Sequence, residues 1–191
     1  MEQHHRIARI IEHWTLPTAA QVVDHVRRAR IQLVQMGNFG VEFYSLTDDE
    51  EFTSSSGMPL RGAKANLDLA AEVIPQVQEA GAKVVGQLST TMLYGNHEQG
   101  MGLFGEDNWA QLWTDDLLGP APCASVDECC QRNEDGTLTW RSIEGRPHRT
   151  YRGCMSNPKW LAVLKAMVSK GIEVGLDGFN ATHHYESLCH C

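Results

Sequence analysis

His183, His184, Glu186, Cys189, His190 and Cys191 crowd the end of the chain, and each carries a side chain that ligates metals or moves protons. Imidazole and thiolate are the ligands zinc prefers, so His183 with Cys189 and Cys191 makes a candidate zinc set. The Cys-x-Cys and His-His spacings differ from the usual C-x2-C. The competing reading is therefore substrate-facing histidines beside ordinary buried thiols. Cys123, Cys129, Cys130 and Cys154 form a second group. They read as plain or partly buried thiols, with a structural metal shared with Cys189 and Cys191, or a disulfide, as the alternative. Adjacent cysteines such as Cys129 and Cys130 rarely bridge each other. Six cysteines in 191 residues are too few for a disulfide scaffold.

Composition removes several classes of function. The net charge is −8, with 16 Lys plus Arg against 24 Asp plus Glu, and no dense basic stripe offsets it. A nucleic-acid partner is not expected. No G-x-G-x-x-G follows an apolar run and no phosphate-binding G-x-x-x-x-G-K-[ST] occurs; Gly37-Asn38-Phe39-Gly40 has two glycines but opens no helix. Residues 1–14 contain His4, His5, Arg6, Arg9 and Glu12, so they form neither a signal-peptide core nor the roughly 20 apolar residues of a membrane span. With Met1 as the start, the expectation is a cytoplasmic protein that does not enter a membrane.

The elements that must position these side chains follow from capping and periodicity. Thr18-Ala19-Ala20-Gln21 is a capping box, and Val22, Val23, Val26 and Ala29 recur at helical spacing, which predicts a helix over 18–29. A β-prone run over 31–36 follows. A second helix is expected over 65–80, with Pro75 as a candidate kink or break and Gly81 as its C-terminal cap. A second strand is expected over 83–88. Asn157 caps a third helix that starts with Pro158, carries Trp160, Leu161, Leu164, Met167 and Val168, and stops at Gly171. A third strand is expected over 172–182. Helices alternating with strands predict a parallel sheet. The helix-to-strand links are short, whereas the two strand-to-helix loops run to about 27 and 68 residues. Spare sequence is thus concentrated at the C-terminal edge of the sheet, where α/β folds place their sites. The second loop, 89–156, is expected to hold a small hairpin at Asp135-Gly136 and a short helix bearing Trp109 and Trp113, whose face packs down onto the site edge or stacks on a ligand ring.

Cys154-Met155-Ser156-Asn157-Pro158-Lys159-Trp160, then Leu164 and Gly175-Leu176-Asp177-Gly178-Phe179, resembles a recurrent stretch of (β/α)8-barrel glycoside hydrolases and their relatives. The stretch over 79–86 resembles the preceding helix-to-strand step of the same barrels. The resemblance covers 155–185 well and 65–90 loosely. It implies a parallel (β/α) barrel of which about three βα units are present, forming one barrel-like domain over 1–191 with its remainder beyond the C-terminus and a long insertion over 89–156. Two departures stand out. Such families carry an acidic residue just past the strand's hydrophobic position, where this chain has Asn180-Ala181-Thr182 after Phe179, and a full barrel runs to ~250 residues.

The implied activity is binding or hydrolysis of a carbohydrate, with the catalytic pair outside this chain. Glycoside hydrolysis needs two carboxyl groups flanking the bond and aromatic platforms for the rings. Glu186 is the single catalytic candidate. Asn38, Glu42, Tyr44, His97, Trp140, Tyr151, His183, His184 and Tyr185 are the substrate-binding candidates, and solvated loop acids are the plainer reading of Glu42 and Glu186. No cofactor is required, with zinc as the alternative. The rival functions are a zinc-binding barrel protein and a non-catalytic interaction domain. The expected partners are a carbohydrate and either further copies or the rest of a longer chain.

A parallel sheet that ends after three strands leaves its edges unpaired. Made alone, the chain is expected to be poorly soluble or to oligomerise. A stable, cooperatively melting monomer in analytical ultracentrifugation and thermal scans overturns that expectation.

Overall fold

Parallel strands need an apolar layer to lie on, and the buried faces of three helices supply it. In the computed structural model, which describes residues 9–13, 18–36, 63–105, 107–142, 149–182 and 190, a four-stranded parallel sheet has the order β1 (Ile10–His13), β2 (Leu33–Met36), β3 (Lys83–Ser89) and β8 (Gly178–Thr182). The register pairs Ile10 with Leu33, Val34 with Val84, and Gly86 with Phe179. Helices α1 (Ala19–Ala29) and α2 (Ala63–Glu79) pack against each other. Helix α4 (Pro158–Glu173) precedes β8.

The local signals act as expected at α1. Thr18 Oγ1 accepts from the Gln21 N–H and the Gln21 side chain accepts from the Thr18 N–H, so two orphan donors of the first turn are satisfied. The helix buries Ala19, Val22 and Val26. Helix α2 runs through Pro75 as one element. The lost backbone bond is offset because Val73, Ile74 and Val77 are buried on both sides of the proline.

Three expectations are corrected. The parallel sheet has a fourth strand, β1, which hides in a polar segment because pairing with β2, and not an apolar pattern of its own, makes it a strand. Gly171 does not stop α4. The helix continues to Glu173, and Gly175 at φ +101 provides the left-handed turn that ends it. Gly171 is buried inside the helix, where a Cβ would strike the ring of Phe179. The third strand consequently starts at Gly178 and not at residue 172.

The stretch 89–156, expected as a long loop, carries a second sheet. Antiparallel strands β4 (Met92–Asn96), β5 (Met101–Gly102), β6 (Trp140–Ser142) and β7 (Arg149–Arg152) have the order β5-β4-β7-β6. Leu93 and Trp140 both pair with Tyr151, on opposite sides of β7. The Asp135-Gly136 turn forms as expected: Asp135 Oδ1 accepts from the Thr137 N–H at 2.9 Å, Gly136 has φ +82, and Arg132 bridges to Leu138. Helix α3 (Asn108–Leu112) buries Trp109, whose ring lies 5.2 Å from that of Trp113 and whose N–H donates to the Cys123 carbonyl. Trp109 is therefore part of the core and not a platform for a sugar ring.

Both sheets share one apolar core, joined through Trp160 on α4. The indole N–H donates to the Thr90 carbonyl at 2.8 Å, just past β3. Gly153, just past β7, lies flat against the indole ring, where any Cβ would overlap it, and its N–H donates to the Thr91 carbonyl. The second sheet thus leaves the C-terminal end of β3 and returns to the N-terminus of α4. At the opposite end of the parallel sheet, the Asp177 carboxylate accepts from the Val84 N–H, the Gln78 amide and the Lys83 ammonium. Among the described residues no helix is long and apolar enough to cross a membrane.

Gly153→Ala is expected to destabilise the chain by ~1–3 kcal/mol, because the buried indole of Trp160 has no room to retreat; chemical denaturation measures it. Burial would raise the Asp177 carboxyl, but its bonds to Lys83, Val84 and Gln78 outweigh that and hold it below the usual carboxylate range. A depressed folded value stabilises at pH above the unfolded value of about 3.9 and loses that contribution as pH falls further. Asp177→Asn should cost about 1 kcal/mol at neutral pH, and the gap between wild type and variant should close below about pH 4. A gap independent of pH would show that the charge does not matter.

Candidate functional site

Strand β7 alternates Arg149 and Tyr151 onto the face of the second sheet that also carries Trp140 from β6. The turn after β4 brings His97 and Glu98 to the same place, and the 3-10 turn Val126–Cys129 brings Asp127. Together with Arg132 and the Asp135-Gly136 turn these residues line a cavity of about 580 Å³.

Its walls are tied together in pairs. His97 Nε2 lies 2.8 Å from Asp127 Oδ2. The imidazole meets the Phe104 ring edge-on at 5.4 Å between centroids, and Phe104 in turn packs on Tyr151 at 4.7 Å. Tyr151 is buried, so its ring acts as a wall, whereas Trp140 remains 43% exposed. The Arg149 guanidinium sits 4.0 Å above the Trp140 ring and pairs with Glu98. The Tyr151 hydroxyl, and after it the Glu98 carboxylate, raise the proton affinity of Arg149 above its ordinary value. Arg132 is aimed by two backbone carbonyls, those of Gly136 at 2.8 Å and Asp127 at 3.5 Å. Acceptors, fixed donors and an exposed indole face thus surround one space, which suits a neutral, hydroxyl-rich molecule.

Of the sequence candidates, His97, Trp140 and Tyr151 come together here, although more than fifty residues separate His97 from Tyr151. Asn38, Glu42, Tyr44, His183, His184, Tyr185, Glu186, Cys189 and Cys191 lie outside the described residues, and the candidate zinc set of His183, Cys189 and Cys191 lies there with them. Sequence reasoning missed Glu98, Asp127, Arg132 and Arg149. The alternation of Arg149 and Tyr151 was a readable strand signal, but Asp127 and Glu98 sit in turns whose partners are distant in sequence.

The second cysteine group lies beside this wall. Cys123 is half-buried and Cys129, Cys130 and Cys154 are buried, and the Cys123 and Cys129 sulfurs are 3.3 Å apart. Burial pushes the Cys123 thiol up. Burial, reinforced by the bond to Cys123, pushes Cys129 up further. Among the described residues, three or more His, Cys, Asp or Glu side chains nowhere converge as a metal site would require. The 3-10 turn is fastened to α4 by two side chains: the Asn157 amide donates to the Glu128 carbonyl at 2.6 Å, and Lys159 pairs with the Glu128 carboxylate. Lys159 first, and then the Ala124 N–H, hold Glu128 below the usual carboxylate range.

No family model matches the chain, and no curated protein matches it in sequence. Solved structures do match in fold. An α-galactosidase from Thermus thermophilus in complex with stachyose superposes with a TM-score of 0.57 at 14% identity, covering 91% of this chain and 32% of that one. The same enzyme in complex with p-nitrophenyl α-D-galactopyranoside gives 0.55 at 12% identity, with 93% and 31% covered. A noncanonic maltogenic α-amylase from Thermotoga neapolitana gives 0.51 at 12% identity, with 90% and 38% covered. The chain therefore spans about a third of the length of these enzymes. At such identities the likeness is one of fold: a mixed α/β, glycoside-hydrolase-like arrangement built on a parallel sheet.

Proposed function

We propose that the chain is part of a glycoside-hydrolase-like (β/α) barrel and that the His97–Tyr151 cavity binds a carbohydrate. The observation that carries this reading is the position of the cavity. It belongs to a sheet inserted after the C-terminal end of β3, the edge at which barrel enzymes hold their substrates. The fold likeness to a galactosidase that holds stachyose supports the same ligand class over zinc.

Each wall residue has a role in this reading. Arg149 covers one face of Trp140, leaving the exposed remainder of the indole for the apolar face of a sugar ring. Glu98 and Asp127 accept from sugar hydroxyls, while Arg132 and Arg149 donate. Phe104 and Tyr151 keep His97 from turning away. The reading assigns binding to this cavity, not bond cleavage; a barrel's fold does not by itself specify its chemistry.

Titration calorimetry against a panel of neutral α-galactosides and maltooligosaccharides tests it. Trp140→Ala should weaken binding about tenfold, in line with an aromatic contact worth ~1–1.5 kcal/mol. Asp127→Ala should weaken it by a similar factor. Binding unaffected by both changes places the sugar elsewhere, and no binding across the panel leaves the non-catalytic interaction domain as the better reading.

A further inference from the structure

The segment between α3 and β6 folds back so that two thiols six positions apart, Cys123 and Cys129, bring their sulfurs to 3.3 Å. The sugar-binding reading uses neither. A disulfide requires about 2.0 Å between sulfurs, so roughly 1.3 Å remains to be closed. The two thiols differ in access. Cys123 is half-buried with its sulfur 3.2 Å from the Ser125 carbonyl, whereas Cys129 is fully buried at the end of the 3-10 turn. The neighbouring Cys130 thiol is turned to the Val126 carbonyl instead, at 3.4 Å.

We propose that Cys123 and Cys129 form a redox modification site, a dithiol that a small external disulfide of the glutathione class converts into an intramolecular disulfide. Cys123, the accessible sulfur, attacks one sulfur of the external disulfide and expels the other as a thiolate. The Cys129 sulfur then attacks Cys123 Sγ and expels the second thiolate. Two protein thiols lose two electrons, the external disulfide gains them, and the two protons pass to the two departing thiols. The new bond encloses residues 124–128, including Asp127, which bonds His97, and Glu128, which pairs with Lys159. Oxidation therefore ties one wall of the cavity to a shorter tether. Burial pushes both thiols up, so exchange quickens as pH rises and is followed over hours at alkaline pH.

The test treats the folded chain with oxidised glutathione, blocks the remaining thiols by alkylation and measures intact mass. The expected result is loss of two alkylatable thiols with no glutathione retained. Cleavage after Glu128 without reductant should leave the Cys123 and Cys129 fragments joined until a reductant is added. Cys130→Ser should keep the bond, and Cys129→Ser should trap Cys123 as the glutathione adduct. A persistent adduct on wild-type Cys123, a bond that disappears in Cys130→Ser, or six unreacted thiols in the folded chain when the denatured chain reacts would each overturn the proposal.

Discussion

The indole of Trp160 is the contact on which the rest of the molecule depends. Its ring is fully buried, its N–H is satisfied by the Thr90 carbonyl, and Gly153 lies against it without a side chain. Three pieces of chain meet there: the exit of β3, the return from β7 and the first turn of α4. Asn157, three residues earlier, caps the same helix through Lys159 N–H and reaches across to the Glu128 carbonyl. One helix N-terminus thereby anchors the parallel sheet, the inserted sheet and the 3-10 turn that carries Asp127. A buried aromatic ring with its polar atom satisfied combines a large apolar contact with a fixed direction.

This anchoring explains why a cavity built on an insertion can have defined walls. Loops of such length usually move independently of the scaffold that carries them. Here Leu93, Leu103, Trp109, Leu112 and Val126 join the common core, so the second sheet is packed and not merely tethered. The charged side chains of the cavity then need only short-range order. The Arg149 pairing with Glu98 and the His97 pairing with Asp127 each link a strand or turn to a different part of the insertion. Exposed ion pairs of this kind add little stability, and their consequence is geometric: they set where donors and acceptors point.

The fold likeness and the cavity bear on different questions. Superposition on about a third of a galactosidase and of an amylase shows a likeness of fold, while the strand pairings of the chain itself give the order of the parallel sheet. It does not specify which side chains meet a ligand, because at 12–14% identity the likeness is one of fold alone, and the residues of the cavity are identified by their own distances and exposure. Asp177, in the stretch that carried the family resemblance, acts as a strut: its carboxylate ties β3 to the start of β8 at the end of the sheet remote from the cavity.

Local sequence determined the elements whose energetics are local. Thr18 with Gln21, and Asn157 with Pro158, set the starts of two helices, and the β-prone runs expected over 31–36 and 83–88 form strands Leu33–Met36 and Lys83–Ser89, with Val34, Met36, Val84 and Leu88 buried. His97, Trp140 and Tyr151 could be singled out by type alone. What tertiary structure alone decided was everything that depends on a partner far along the chain. Strand β1 exists through its register with β2, the second sheet through the pairing of β4 with β7, and position 171 has no room for a side chain because the Phe179 ring occupies that space. The cavity joins His97 to Asp127 and Glu98 to Arg149 across thirty and fifty-one positions. Such pairings leave no periodicity in the sequence, because each is selected by the closure of a long loop and the packing around Trp160.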